Sequence, residues 1–179
     1  VRLLVFTGGR LGEVSGARWR EFPPALVKIL RGRKDGEAID WQAVPSAVKL
    51  WTVPPERFKS DAVHMVPLAD DALRVLETLP HFAAGDLLFS TTYGAKAVNG
   101  FGKAKERLDG EMLAALKAAA RLDGAQADDV TLPDFVLHDL RRTVRTRLSS
   151  LRVSDRVAEM VIGHAARGLQ RVYDQHSFA

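Results

Sequence analysis

One stretch of this sequence, residues 50–68, alternates as a pair of strands should, while most of the chain around it repeats in helical register. LWTVPP and AVHMVPL bracket a polar turn that holds Lys59, and Val63 and Met65 alternate against His64 and Val66. Residues 1–6 read as the end of a helix broken by Thr7-Gly8-Gly9, and 11–18 as a short helix. Asp70 to Leu79 predicts an amphipathic helix, with Leu73, Leu76 and Leu79 in register. Asn99 is a candidate cap for a helix running toward Leu108, and EMLAALKAAARL gives a strong helical signal ended by Gly124. From Asp134 to Leu151 an apolar stripe of Leu137, Leu140, Val144, Leu148 and Leu151 lies beside a face holding His138, Arg141 and Arg145. Ser154 is placed to cap a helix through Ile162 that Gly163 ends, and a last helix carries Leu169, Val172 and Tyr173. Trp19 to Phe22 predicts a short strand stopped by Pro23-Pro24, and LLF at 87–89 a short extended segment. Residues 25–48 predict an insertion with a hairpin. The expected class is mostly α with a small antiparallel β-sheet, an α+β fold.

At 179 residues, the chain is expected to form one domain spanning 1–179. It starts at Val1, within an apolar helical segment, and so reads as a piece of a longer protein. Without cysteine it has no disulfides and no thiolate metal sites. No apolar run reaches membrane-spanning length, which sets a cytoplasmic location as the expectation. The net charge of +4 is unevenly spread: residues 1–60 carry +5, 61–130 carry −4, and 131–179 carry +3. A polyanionic partner is drawn to the basic ends, although a solvated surface of mixed charge has the same composition.

Six residues in those basic ends carry types that phosphodiester chemistry uses: Arg10, Lys59, His138, Arg141, His164 and Tyr173. Arg10 follows a glycine pair and precedes a helix, so its backbone has room for a phosphate, and Glu13 is spaced to hold its guanidinium bidentately. A helix entry with a local Arg–Glu pair is equally ordinary. HDLRRT sets His138 and Arg141 at i and i+3, on one helix face, which is either a solvated face or a bridge between proton donor and phosphate oxygen. Arg142 points elsewhere. Lys59 in a turn is ordinarily a solvent-facing cation, and becomes a general acid only if the hairpin swings it to a leaving oxygen. Gly163-His164 marks a helix end, and Tyr173 lies nine residues beyond His164. A phenol titrates near pH 10, so Tyr173 needs cations beside it to act as a nucleophile near neutrality, and otherwise reads as a core residue. His64, His81 and His176 fit no ligand pattern, and the chain has no HExxH and no Walker-type loop.

In this order and spacing the six residues resemble the catalytic domain of the tyrosine recombinases, the phage integrase family, over essentially the whole chain. The hairpin WTVPPERFK is similar to those of prophage and genomic-island integrases. The resemblance implies the tyrosine recombinase catalytic-domain fold and site-specific recombination of duplex DNA through a 3′-phosphotyrosyl intermediate, with no metal, ATP or other cofactor. It implies that Arg10 and Arg141 clamp the scissile phosphate and that Lys59 protonates the leaving 5′-hydroxyl. His138 then serves acid/base work, His164 hydrogen-bonds the phosphate, Tyr173 is the nucleophile, and Glu13 supports Arg10. It further implies a bacterial or phage-encoded, nucleoid-associated protein that works as a homo-tetramer on double-stranded DNA attachment sites when full length, with this piece alone a monomer. The family's core-binding and arm-binding domains are absent from these residues. A type IB topoisomerase-like strand passage, or an inactive DNA-binding module of the same fold, are the alternative expectations. A helical interaction domain would leave the order of the six residues unexplained.

Overall fold

A computed structural model of the chain describes residues 1–33, 37–59 and 62–164. It is about half helical, with one two-stranded antiparallel sheet, as an α+β class requires. Two compact units emerge: Val1–Val98 with the chain from Leu140 onward, and Asn99–Asp139. Among the described residues, no helix is long and apolar enough to cross a membrane.

The first unit begins with α1 (Arg2–Thr7), which ends where Gly8 turns left-handed at φ 61°. After Gly9 and Arg10 comes α2 (Leu11–Ser15), then a 3₁₀ turn at Trp19–Glu21 and α3 (Pro24–Gly32). The predicted strand at Trp19–Phe22 is therefore not formed. Pairing there shrinks to one bridge between Arg18 and Leu87, because the chain then enters a 3₁₀ turn in which Glu21 and Phe22 N–H donate back to the Arg18 and Trp19 carbonyls. Of the extended segment expected at 87–89, the bridge retains Leu87 alone, and Leu88 and Phe89 bend away. The hairpin expected in 25–48 is likewise corrected. Leu26 and Leu30, four apart, are buried on one helical face with Pro24 in the first turn, so the apolar run ALVKIL obeys the helical period.

Strands β1 (Leu50–Val53) and β2 (His64–Pro67) pair as read from the alternation, with Trp51 opposite Val66 and Val53 opposite His64. Those four side chains are buried and the alternating ones are more exposed, so the register alone turns His64 inward. A two-stranded ribbon is marginal by itself. This one rests on a core of Leu3, Leu26, Trp51, Leu73, Leu76 and Leu88, with Phe22 stacked on Trp51 at 6.1 Å. Helix α4 (Asp70–Glu77) closes the core through Ala72, Leu73 and Leu76 and packs on α1.

In the second unit, the two segments expected between Asn99 and Gly124 are one continuous helix, α5 (Phe101–Leu122), capped by Gly100 rather than Asn99. Gly110 interrupts the propensity but not the helix; it costs roughly 1 kcal/mol, and the Ala- and Leu-rich flanks outweigh it. Lys105 pairs with Asp109 at 2.7 Å and lies over the Phe135 ring. Helix α6 (Leu137–Ser150) starts three residues later than Asp134, and α7 (Asp155–Val161) begins at the expected Ser154 cap. The helix expected to carry Leu169, Val172 and Tyr173 lies outside the described residues.

Candidate active site

Arg10 is held from three sides. Its Nη1 donates to Glu13 Oε1 at 2.7 Å while its own backbone N–H donates to Glu13 Oε2 at 2.9 Å, so one buried carboxylate fixes both guanidinium and main chain. The guanidinium lies 5.2 Å from the Phe58 ring centre, and Nη2 is 3.5 Å from the Gly163 carbonyl. Glu13 does hold Arg10 as the sequence predicts, but with one oxygen on the guanidinium and the other on the main chain rather than bidentately on the guanidinium. Gly8 of the glycine pair has a packing duty as well. A Cβ on Gly8 would sit 3.1 Å from Val144 and 3.3 Å from Ile162, so Gly8 allows close packing of the chain.

Arg141 is the second cation, and its surroundings differ. Only 5 % of it is exposed, its Nη1 donates to the Gly8 carbonyl at 2.7 Å, and its Nη2 has no hydrogen-bond partner among the described residues. Burial pushes its pKa down and the nearby Arg10 charge pushes the same way, with Glu13 and Glu159 opposing. Two guanidinium groups are thus close enough to repel, and with Glu159 already paired to Arg145, Glu13 offsets only part of their charge. A buried, unpaired N–H on a cation is costly unless something answers it. An anion placed between the two arginines answers both terms.

His64, which the sequence reading set aside, belongs to this cluster. Its ring stacks on Phe58 with centroids 4.8 Å apart, and Phe58 in turn carries Arg10. Burial lowers the His64 pKa from the ordinary 6.5; Arg141 and Arg10 act in the same direction and Glu13 opposes them. The unfolded chain therefore takes up this proton first on acidification, and stability falls as pH drops below that ordinary value. Wild type should lose more melting temperature between about pH 7.5 and pH 5.5 than His64→Gln. Equal losses would contradict a neutral, buried His64. His81 shifts the same way, but it stacks on Trp19 and bonds Arg31 in both proteins, so the comparison isolates His64.

Gly163 closes the stack. Its φ is +68°, and a Cβ there would lie 2.7 Å from Phe58 Cζ and 2.9 Å from His64 Nε2. Gly163→Ala should cost roughly 2–5 kcal/mol, the sum of a left-handed non-glycine residue and an overfilled contact. That corresponds to a melting temperature lower by roughly 10 °C, and a shift under about 2 °C would contradict the contact.

Behind the arginines, Arg57 bonds both Glu21 and the Glu13 carbonyl, and Trp51 Nε1 donates to Glu21 at 2.9 Å. This buried network fixes the α2 backbone that carries Glu13. Sequence reasoning missed it, because Glu21 and Arg57 carry no motif and meet only when β1 packs beside the 3₁₀ turn.

The remaining candidates are placed as follows. Lys59 is exposed in the hairpin turn, one residue after the buried Phe58. His138 is exposed on the first turn of α6 and belongs with the second unit. Arg142 is exposed, as its helical position requires. His164 follows Gly163 directly, and its Nδ1 is hydrogen-bonded to Glu159. Tyr173 lies outside the described residues. The structure thus gathers Arg10, Glu13, Arg141 and the Gly163 backbone with the unforeseen His64, and His164 is the next residue along the chain.

The profile of the phage integrase family matches residues 1–179, the whole chain. The chain belongs to that family, the tyrosine recombinase catalytic domains. Neither a curated protein nor a solved structure gives a match. Membership carries with it binding to double-stranded DNA and recombination as the general activity.

Proposed function

We propose that this chain is the catalytic domain, with the tyrosine recombinase fold over 1–179, of a site-specific DNA recombinase that cleaves and rejoins duplex strands through a 3′-phosphotyrosyl bond. The observation that carries this reading is the Arg141 Nη2 left unpartnered among the described residues, beside Arg10. Arg10 and Arg141, less the charge of Glu13, leave one net positive charge, which matches the single negative charge of a phosphodiester. The transition state gains a second negative charge, and donors fixed in advance at that point favour it over the ground state.

In this mechanism the Tyr173 oxygen attacks phosphorus, the new O–P bond forms as the P–O5′ bond breaks, and the departing 5′-oxygen takes a proton from Lys59. His138 handles the phenol proton, and His164 hydrogen-bonds a non-bridging oxygen. The bond energy stays in the phosphotyrosine, so a 5′-hydroxyl from a partner strand can reverse the steps without ATP or metal. Strand exchange needs four such sites, so the full-length protein works on DNA as a homo-tetramer. The test is a duplex nicked just 3′ of the scissile phosphate, from which the short released strand diffuses away. The full-length protein should accumulate as a covalent protein–DNA adduct that survives denaturation. Cleavage by hydrolysis, with free 3′-phosphate and no adduct, would contradict the proposal.

A further inference from the structure

The Gly163-His164 step has a second partner that the recombination reading does not use. Helix α7 ends in a paired backbone motif: Gly163 N–H donates to the Met160 carbonyl at 2.9 Å, and His164 N–H donates to the Glu159 carbonyl at 2.8 Å. That motif places residue 159 beside residue 164, and their side chains meet as well. Glu159 Oε2 bonds His164 Nδ1, while Glu159 Oε1 accepts from Arg145 Nε at 2.7 Å. Arg145 is itself fixed by Asp155 Oδ1 at 2.7 Å and by Ser149. Each oxygen of the Glu159 carboxylate therefore has one assigned partner, and α6 is tied to the end of α7 through it.

The charge state follows from these contacts. The Arg145 hydrogen bond, and then that of His164, hold the Glu159 carboxyl below its usual range, so it is ionised. An ionised carboxylate only accepts, so the proton between them sits on Nδ1. The imidazole then has Nε2, on the far side of the ring, without a partner among the described residues.

We propose that Glu159 is a positioning residue for His164: through Nδ1 it fixes the ring's tautomer and rotation, with Arg145 as its anchor, so that Nε2 is the nitrogen offered to the scissile phosphate. This rests on the recombinase reading above. A purely structural role predicts something different. Glu159 and His164 are each over two-fifths exposed, and exposed ion pairs contribute little to folding. Orientation can matter far more: carboxylates that orient metal-bound histidines typically carry about 10–100-fold in function.

The test uses the full-length protein and single-turnover cleavage of the nicked duplex. Glu159→Gln should cleave about 10–100-fold more slowly than wild type, with unchanged DNA affinity and a melting temperature within about 2 °C. In a His164→Ala background the same change should cost less than about twofold, because the group being positioned is gone. A long-range ¹H–¹⁵N spectrum of wild-type His164, which needs no cleavage, should show the proton on Nδ1. Wild-type cleavage rates in Glu159→Gln, an undiminished effect in the His164→Ala background, or a proton on Nε2 alone would each overturn the positioning role. Absence of any adduct from wild type would instead sink the recombinase reading, and this role with it.

Discussion

Arg141→Lys is expected to slow strand cleavage by about 10²–10³-fold, roughly 3–4 kcal/mol of transition-state stabilisation, while the protein stays folded and bound to DNA. Lysine keeps the charge but loses the planar fork, and here the fork has two separate duties. Nη1 is spent on the Gly8 carbonyl, and Nη2 points nowhere within the described residues. An ammonium group can serve one of these and not both. The stability cost should be about 1–3 kcal/mol, since the Gly8 carbonyl loses its donor in a buried setting. Arg10→Ala should lose cleavage to a similar degree with a smaller stability cost, because Arg10 is less buried and its removal leaves Glu13 near other cations. Cleavage and melting temperature that fall in proportion across both variants would mark the arginines as structural.

Tyr173→Phe should reduce the covalent adduct on the nicked duplex below detection and leave DNA affinity within about twofold, because one oxygen is removed and the apolar ring is kept. No other group in the proposed mechanism forms a bond to phosphorus, so this loss has no partial form. In that mechanism Lys59 and His138 move protons and His164 donates a hydrogen bond. An adduct that persists in Tyr173→Phe would place the nucleophile elsewhere in the chain.

Much of the architecture was legible because it depends on local periods. The alternation around His64 and Val66 gave the sheet, and the leucine spacing after Asp70 gave α4. The Ser154 and Gly163 signals bounded α7. Misreadings arose where a short apolar run fits two periods. ALVKIL became a helix because Leu26 and Leu30 found a common buried face, and Trp19–Phe22 became a turn because its N–H groups bond back within a 3₁₀ turn after the bridge at Arg18. The arginines and Glu13 were readable from motif and spacing.

His64, Glu21, Arg57 and Glu159 were not, and for a shared reason. Each acts through a contact made by tertiary packing or by a helix end. His64 looked like one more residue of an alternating strand, and its inward face is decided by the β1 register. Glu159 did leave a trace, a carboxylate four residues before Gly163 and five before His164, which the cap motif converts into contact.

The central claim is that Arg10 and Arg141 share one phosphate. A crystal structure of the full-length protein trapped on the nicked duplex tests it most directly. The account predicts Arg141 Nη2 and the Arg10 guanidinium each within about 3 Å of non-bridging oxygens on the scissile phosphate. A scissile phosphate held by only one of them, with Arg141 Nη2 still unpartnered, would contradict it.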